Sequence, residues 1–260
     1  IGGKVGAATA DVATGSHVDR WPGGDVIRDA QEAARAGFAL RPDVGALVEA
    51  LLQGGIEGLR EACTLHVGVP MQPMLAKPAT STDELFGRIV RALPGSSSDG
   101  GVVKVTAEHK YDGQRAQIHR NRCGEIKIYS RKIDDMTYKY PDVVTAIGRC
   151  ARSKRAFVVD AEIVAVMLAA SSGAGEAGAA EIAVFQSLST RKRKNVTEAN
   201  AAAASVAVKL FLFDLLLLED EVLLGRPLSE RRSAMREEFV EERDVLAFAT
   251  AVDIDVCMGL

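Results

Sequence analysis

The sequence of 260 residues lacks the cysteine patterns of a metal-binding or disulfide-bonded protein. Its cysteines are Cys63, Cys123, Cys150 and Cys257. They lie far apart and form no C-x-x-C pair, which disfavours a structural zinc site and gives no disulfide framework for a chain of this size. We therefore expect the protein to work in a reducing compartment.

Long apolar runs and an excess of basic residues are missing as well. No apolar run reaches the roughly 18 residues that a membrane-spanning helix needs, so we expect no membrane partner. The formal net charge of −3 argues against a uniformly basic nucleic-acid binder, and any contact with phosphates has to come from local clusters of basic residues. The chain starts at Ile1 without methionine and without a signal-peptide pattern, as we expect of an internal piece of a longer protein.

What is present is enough for a globular fold. Hydrophobic residues make up 47% of the chain, which suffices for the packed core of one large domain or two smaller ones. Residues 1–25 are rich in Gly, Ala and Asp with no sustained period, and we predict a loop there.

The next segment has the pattern of helices. Apolar residues recur at spacings of three and four over residues 25–38, which predicts a helix. A second helix is predicted after Pro42-Asp43, Gly54-Gly55 ends it, and a short third helix follows over residues 56–63. The apolar stripe of the second helix consists of Val44, Leu47, Val48 and Leu51. Stripes of this kind are typical of helix–helix packing.

A proline-rich connector divides the sequence. Three prolines between Gly68 and Pro78 predict an extended segment, and we place a domain boundary here, between residues 1–68 and 69–260. Residues 80–92 then predict a helix with Ser81 or Thr82 as its N-cap.

The stretch from Val103 to His119 has the period of two strands joined by a turn. Lysines and acids alternate with apolar residues in the first half, which puts Glu108 and Lys110 on one face of a strand. Asp112-Gly113 predicts a tight turn in which the glycine supplies a positive φ, and a second strand carrying Arg115 completes the predicted hairpin. Taken alone, a lysine before Asp-Gly is typical of a solvated hairpin tip.

Three further strands are predicted, and each of them carries or leads to candidate site residues. Residues 125–130 alternate and lead to Arg131 on the polar face. Residues 156–166 predict a central strand with Asp160 and Glu162 on one face, where each needs a cation, a metal or a hydroxyl partner. Residues 206–218 predict a strand buried on both faces, with Phe211 and Phe213 sharing a face.

These segments, in this order, resemble one family. The string E-H-K-Y-D-G-Q-R-A-Q-I-H at residues 108–119 is similar to the nucleotidyl-transfer motif of ATP-dependent DNA ligases, most of all to the replicative ligase I type of eukaryotes. Ser130-Arg131, the D-A-E string at 160–162 and the F-D-L string at 213–215 resemble later motifs of that family. The sequence departs from the family pattern at Lys132, where the family normally has Asn.

The resemblance implies an α+β fold. We expect the nucleotidyltransferase (adenylation) fold, with antiparallel sheets flanked by helices, over residues 69–260 and incomplete at its C-terminal end. Residues 1–68 would be the C-terminal part of an all-helical DNA-binding domain, with the first 25 or so residues forming a loop.

The resemblance also assigns roles to residues. Lys110 would be the catalytic nucleophile. In the resemblance, Glu108 would contact the edge of the adenine and the ring of Phe213 would stack on its face. Arg115 and Arg131 would bind ribose and phosphate oxygens. Glu162 would bind the ribose and help to place a metal ion. The implied cofactors are ATP and Mg²⁺.

A basic run completes the predicted contacts with DNA. Arg191, Lys192, Arg193 and Lys194 follow one another directly. Such a run is most often a solvated face or a localisation signal, but ligases of this type have it on the side facing DNA, where contacts with phosphates would depend on salt. The implied partner is nicked duplex DNA.

The function that follows from the resemblance is nick sealing in DNA replication and repair, by covalent nucleotidyl transfer through a lysyl-AMP intermediate. We expect a nuclear location, with a mitochondrial one as the alternative, and a sliding clamp as a partner of regions outside this sequence. In the ligases that the sequence resembles, an E-G-x-M-x-K string and a later K-x-D-Y segment supply a metal-linked Glu and the lysines that hold the α-phosphate. The sequence has neither of them, so we expect these 260 residues by themselves not to complete ligation.

Two other functions stay open from the sequence. RNA ligases and mRNA-capping guanylyltransferases share K-x-D-G-x-R chemistry, and transfer of GMP or a preference for RNA ends would indicate that class. A non-catalytic paralogue that binds DNA or a protein partner is the second alternative.

Overall fold

The structure is a computed structural model, and it describes residues 24–62, 64–92, 102–167, 181–183, 187–188 and 207–257. The helices in this part of the chain are α1 (Gly24–Leu40), α2 (Val44–Ala62), α3 (Thr82–Ala92), α4 (Pro141–Cys150) and α5 (Leu228–Glu238). The strands are β1 (Val102–Glu108), β2 (Gln114–Arg120), β3 (Ile126–Ser130), β4 (Phe157–Met167), β5 (Glu181–Ile182), β6 (Ala207–Leu218), β7 (Glu221–Val222), β8 (Leu246–Phe248) and β9 (Ala251–Cys257).

Two sheets organise the strands. The larger has seven strands, with β3, β2, β4, β6 and β7 paired antiparallel in that order, β5 beside β4, and β8 parallel to β6. The smaller sheet consists of β1 paired antiparallel with β9. The α+β fold with antiparallel sheets and flanking helices is therefore as predicted.

The predicted hairpin around Asp112-Gly113 is wrong. Strand β1 pairs with β9, so that Glu108 lies opposite Ala251, whereas β2 pairs with β3 and β4 in the other sheet. Residues 109–113 thus carry the chain from one sheet to the other. A local turn signal could not reveal this, because the partner of β1 comes more than a hundred residues later.

Gly113 is required for a different reason from the one the sequence suggested. It is not among the glycines with a positive φ. A Cβ at this position would lie 2.4 Å from the Ile163 carbonyl oxygen and 2.9 Å from Glu162 Cγ. Residue 113 therefore has to lack a side chain so that the crossing segment can lie directly against β4.

The main core lies on one face of the larger sheet. Apolar side chains of the central strand β4, such as Val159 and Ile163, are fully buried there. Ile147 of α4 and Met235 of α5 pack on the same core. Ala116 and Ile118 of β2 lie in this core, so the polar residues between them belong to the opposite face, because strand side chains alternate between faces.

The N-terminal helices pack on each other through a small core. Ala33 of α1 contacts Ala50 and Leu59 of α2. The backbone of α2 is not helical at Gly55 (φ 61°, ψ −148°), at the stop that was predicted there. The predicted stripe of α2 is wrong in part, since Val44, Val48 and Leu51 are exposed while Leu47 packs on the small core. A pair of helices buries one face of each, so the remaining apolar residues stay at the surface.

The connector predicted between residues 68 and 78 is extended and lies on the polar face of β2. Three alternate residues of β2 bind its backbone: His119 Nδ1 accepts from Gly68 N–H (2.9 Å), Gln117 accepts from Met71 N–H (2.9 Å) and donates to the Met71 carbonyl (3.4 Å), and Arg115 Nη1 donates to the Met74 carbonyl (3.0 Å). Helix α3 then begins with the predicted cap, because Ser81 Oγ accepts from Glu84 N–H at 3.1 Å. None of the described helices has the length and apolar character needed to cross a membrane.

Candidate active site

A cleft of about 790 Å³ lies where the connector, the crossing segment, the end of β3 and the strand β4 meet. Its cationic side chains are Lys110, Arg115, Arg131, Lys132 and Lys139, and its carboxylates are Asp112, Asp134 and Glu162. The excess of positive charge favours a ligand with phosphate groups. Four of the residues predicted for the site, Lys110, Arg115, Arg131 and Glu162, therefore line one cavity.

Both neighbours of Lys110 are held by the structure. The His109 N–H donates to the Thr250 carbonyl at 3.1 Å, which continues the pairing of β1 with β9. The ring of Tyr111 stacks on Phe211 of β6, with 3.9 Å between centroids and 19° between planes. Because one neighbour is bound to each sheet, Lys110 is fixed at the point where the sheets meet the cleft.

Arg115 forms an ion pair with Asp160 inside the site. Its Nη2 donates to Asp160 Oδ2 at 2.7 Å, and the Asp160 side chain is only 7% exposed. Burial raises the pKa of the Asp160 carboxyl, against the opposing effect of the Arg115 charge. Arg115 Nε and Asp160 Oδ1 are buried and have no hydrogen-bond partner among the described residues. A ligand phosphate or hydroxyl oxygen could accept from Arg115 Nε, and a ligand hydroxyl could donate to Asp160 Oδ1, since buried polar groups are usually paired.

Glu162 lies opposite Arg115 in the pairing of β4 with β2 and opposite Phe211 in the pairing of β4 with β6. Burial raises the pKa of its carboxyl to about 7, although the charges of Arg115 and Lys110 and a hydrogen bond from the Gly113 N–H oppose that rise. Its charge therefore changes near neutral pH, a property that is frequent in functional sites.

A tight turn after β3 carries Arg131 and Lys132 into the cleft lining. Ser130 Oγ accepts hydrogen bonds from the N–H groups of Lys132 (3.1 Å) and Asp134 (3.2 Å). Ile133 has φ 63°, a conformation that β-branched residues rarely adopt. Strained backbone of this kind clusters at ligand sites, where the surroundings enforce it. The lysine that departs from the family pattern thus lies beside Arg131 in the cleft.

Glu108 and Phe213 lie next to the cleft without lining it. Glu108 forms an ion pair with Arg232 of α5. A register shift in the pairing of β4 with β6 leaves Phe213 without a partner residue on β4, and the Arg115 guanidinium lies 5.4 Å from the centre of its ring. Phe211 and Phe213 both contact residues of the segment 111–115, in keeping with the prediction that they share a face.

Sequence reasoning missed several residues of the site. Lys139 lines the cleft, and its only signal was the K-Y-P-D string that follows the Ser-Arg motif. Leu75 and Ala76 of the connector also line it, brought there by the contacts of β2 with the connector. Arg232 gave no signal in the sequence. The predicted DNA-binding run of residues 191–194 lies outside the described residues.

The residues of the cleft fit a nucleotide and leave room for a divalent cation. No three His, Cys, Asp or Glu side chains in the described residues are close enough together to hold a metal ion by themselves. Mg²⁺ usually needs only one or two protein carboxylates, because substrate phosphates and waters supply its other ligands. Glu162 and Asp112 are carboxylates of this cleft that could serve, while the cations would hold the phosphates.

The α+β fold and the cation-rich cleft together are those of a nucleotidyltransferase domain. The sequence model of the family described as "ATP dependent DNA ligase domain" matches residues 73–258. The chain belongs to this family, the ATP-dependent DNA ligases.

Two curated relatives agree with that assignment. The chain is 36% identical to DNA ligase 1 of Drosophila melanogaster over 88% of its own length and 28% of the relative's. It is also 36% identical to DNA ligase 1 of Arabidopsis thaliana, over 88% of its own length and 27% of the relative's. A solved structure titled "mycobacterial DNA ligase D complexed with ATP and MES" is similar over 57% of this chain and 40% of that chain, with 21% identity and a TM-score of 0.39. The chain thus spans between a quarter and a third of the length of these two relatives.

Proposed function

We propose that the protein takes part in sealing nicks in duplex DNA through a lysyl-AMP intermediate, during DNA replication and repair. The observation that carries the proposal is the position of Lys110, which lies in a cation-rich cleft together with Arg115, Arg131 and Glu162. Membership of the ATP-dependent DNA ligase family supports ATP as the nucleotide.

In the proposed first step, the Lys110 amine attacks the α-phosphorus of ATP. A bond between Nζ and phosphorus forms, the bond between that phosphorus and the bridging oxygen breaks, and pyrophosphate leaves. A lysine amine in water is almost wholly protonated at neutral pH, so a proton has to leave before the attack. The AMP then passes to the 5′-phosphate of a nick, and the 3′-hydroxyl displaces it.

The arginines of the cleft suit the binding of the nucleotide. A guanidinium offers a planar fork of donors that fits phosphate and ribose oxygens, which is the role we propose for Arg115 and Arg131. Asp160 holds the Arg115 fork from the protein side. Adenine stacking on Phe213 would require the Arg115 guanidinium to leave that ring, since it lies over the ring in the structure.

We propose that Glu162 binds the ribose and helps to place Mg²⁺. When bound, Mg²⁺ would offset negative charge on the phosphates of the nucleotide. Glu162 has to be ionised to help place Mg²⁺, and its raised pKa makes that depend on pH near neutrality. Glu108 would accept a hydrogen bond from the adenine edge.

Further proposals concern the DNA and the context of the chain. Residues 69–260 would form the adenylation domain and residues 1–68 the end of a DNA-binding domain, and the start of the family match at residue 73 supports that boundary. The basic run 191–194 would contact DNA phosphates in a salt-dependent manner. A nuclear location and a sliding clamp as partner are proposed on the family resemblance.

The test is to incubate the protein with α-labelled ATP and Mg²⁺ and to locate covalent label by peptide mapping. Label on Lys110 that is released by pyrophosphate would support the proposal. Label from GTP in preference to ATP, or transfer of the nucleotide to RNA ends in preference to nicked DNA, would replace it with the RNA ligase or capping class. Nicked-duplex binding without any covalent nucleotide would support the non-catalytic alternative, as would the absence of E-G-x-M-x-K and K-x-D-Y strings from the gene beyond the codon for Leu260.

A further inference from the structure

Arg232 of α5 connects the two residues that the proposed function assigns to the base of the nucleotide. Its Nη2 forms an ion pair with Glu108 Oε2, and its Nε donates to the Phe213 carbonyl at 3.2 Å. Glu108 is the last residue of β1 in the smaller sheet, whereas Phe213 belongs to β6 in the larger one. One guanidinium therefore joins the sheets beside the cleft.

Arg232 is an unusual residue for this position because it is charged and only 8% exposed. Arginine is almost never buried unless it is paired, and here the partners are one carboxylate and one carbonyl. The fork of donors allows it to bind two acceptors in different directions at once, which a lysine amine does with less precision.

The neighbouring Arg231 anchors the same turn of α5. Its Nε and Nη2 donate to Asp214 Oδ1 and Oδ2, each at 2.8 Å. Asp214 directly follows Phe213 in β6. Because this bidentate pair fixes α5 against β6, Arg232 can hold Glu108 at a defined distance from Phe213.

We propose that Arg232 is a positioning residue for base selection, an inference that rests on the proposed function of Glu108 and Phe213. Arg232 binds one carboxylate oxygen of Glu108, and the Glu108 side chain is still 41% exposed, so that its other oxygen can accept a hydrogen bond. The exocyclic amino group of adenine donates a hydrogen bond at that edge, whereas the carbonyl of guanine accepts one. An ionised carboxylate only accepts, so a Glu108 held in place favours ATP over GTP.

A positioning role and a merely structural role of Arg232 predict different changes in the affinities for ATP and GTP. If Arg232 only joined the sheets, its loss would weaken the binding of ATP and GTP equally. If it positions Glu108, its loss lowers the ratio of the two affinities, because a mobile carboxylate discriminates less between a donor and an acceptor.

The experiment measures dissociation constants for ATP and GTP by isothermal titration calorimetry, with Arg232→Gln, Arg232→Lys and Glu108→Gln compared with the wild type. Arg236→Gln is the matched control, since Arg236 is an exposed arginine one turn further along α5. We expect Arg232→Gln to lose about tenfold of the preference for ATP, the scale of one hydrogen bond to a charged group, with Arg232→Lys restoring part of it. Glu108→Gln should lose the preference to a similar extent and Arg236→Gln should keep it.

The outcomes separate this inference from the proposed function. A wild type that binds ATP no better than GTP would overturn the proposed adenine site, and this inference with it. A wild type that prefers ATP, with an unchanged preference in Arg232→Gln, would overturn the inference alone. Should Arg232→Gln fail to fold, Arg232→Lys and Glu108→Gln decide: an unchanged ratio in both overturns the proposal, and a lowered ratio in both supports it.

Discussion

Lys110 and Glu162 line the same cleft, and the positive charge of Lys110 lowers the pKa of a carboxyl that burial raises. The net result is a Glu162 pKa of about 7, so that the charge of the cleft changes across neutral pH. In the proposed reaction the same pair would face the nucleotide from two sides. The pH dependence of nucleotide binding, compared between the wild type and a Glu162 variant, therefore reports on the charge of Glu162.

Affinity for ATP with Mg²⁺ should rise between about pH 6 and about pH 8 in the wild type and rise less in Glu162→Gln, because the ionised Glu162 can bind a metal ion and accepts from a ribose hydroxyl more strongly than the neutral acid does. The phosphates of the nucleotide also titrate near pH 6, but they do so with both proteins, so the difference isolates Glu162. Calorimetric titrations at several pH values provide the measurement. Identical pH profiles for the two proteins would contradict the role proposed for Glu162.

Glu162→Gln, which should weaken the binding of ATP at alkaline pH, should at the same pH increase the stability of the fold. A pKa that is raised in the folded state means that stability is lost as pH rises through the folded-state value, here about 7. Glu162→Gln should consequently have a higher Tm than the wild type at about pH 8, with a smaller difference at about pH 5. A lower Tm for the variant at alkaline pH would show that the Glu162 carboxylate is well compensated in the folded protein.

The close contact of Gly113 with β4 predicts a loss of stability on Gly113→Ala. The added Cβ would meet the Ile163 carbonyl oxygen, and the shift needed to relieve that overlap should cost about 1–3 kcal/mol. Gly87→Ala is the control, because Gly87 lies in α3 with no atom nearer than 3.9 Å, and it should gain about 0.5–1 kcal/mol. Denaturant unfolding measures both, and equal effects would refute the contact.

His119 should make the protein sensitive to acid. Burial lowers the pKa of its imidazole to about 4, and it stays neutral while it accepts from the Gly68 N–H. The unfolded chain takes up a proton near pH 6.5, so stability is complete above that value and is lost as pH falls towards about 4, by up to about 3 kcal/mol. In His119→Gln this part of the pH dependence should disappear, whereas substitution of the exposed His66 should leave it unchanged. Urea titrations at several pH values between about 4 and about 7 would reveal the difference.

Lys110→Ala should abolish covalent attachment of AMP and keep the affinity for ATP within about tenfold, because the remaining cations of the cleft still hold the phosphates. Lys104→Ala is the matched control, being an exposed lysine on β1 outside the cleft lining. Mass spectrometry of the protein after incubation with ATP and Mg²⁺ detects the adduct. Persistence of the adduct in Lys110→Ala would place the nucleophile elsewhere.

Local sequence patterns predicted the parts of the fold that local interactions determine. The stop of α2 at Gly55 and the Ser81 cap of α3 both follow from neighbouring residues. The pairing of β1 with β9 could not be predicted in this way, since nothing in the residues near Lys110 indicates a partner at residues 251–257.

Some contacts of the candidate site could likewise be predicted from local patterns, and others could not. Strand alternation put Asp160 and Glu162 on one face and required a cation, a metal or a hydroxyl as the partner of each, and Arg115 is the cation found beside Asp160. The ion pair of Glu108 with Arg232 depends on how α5 packs across both sheets, and the periodicity of the sequence does not predict such packing. Contacts between residues far apart in the chain are therefore what the structure adds.

The connector on β2 has a consequence for how this sequence can vary. Its three anchored residues, Gly68, Met71 and Met74, are spaced by three, and the prolines at 70 and 73 fall between them. Proline has no N–H to donate, so inserting one residue between Gly68 and Pro70 would bring that proline to the position that needs the Met71 N–H, whereas deleting one residue would break the spacing of three between the anchors. Among homologues, length should thus be the conserved property of this segment, with substitutions tolerated between the anchors and insertions or deletions selected against.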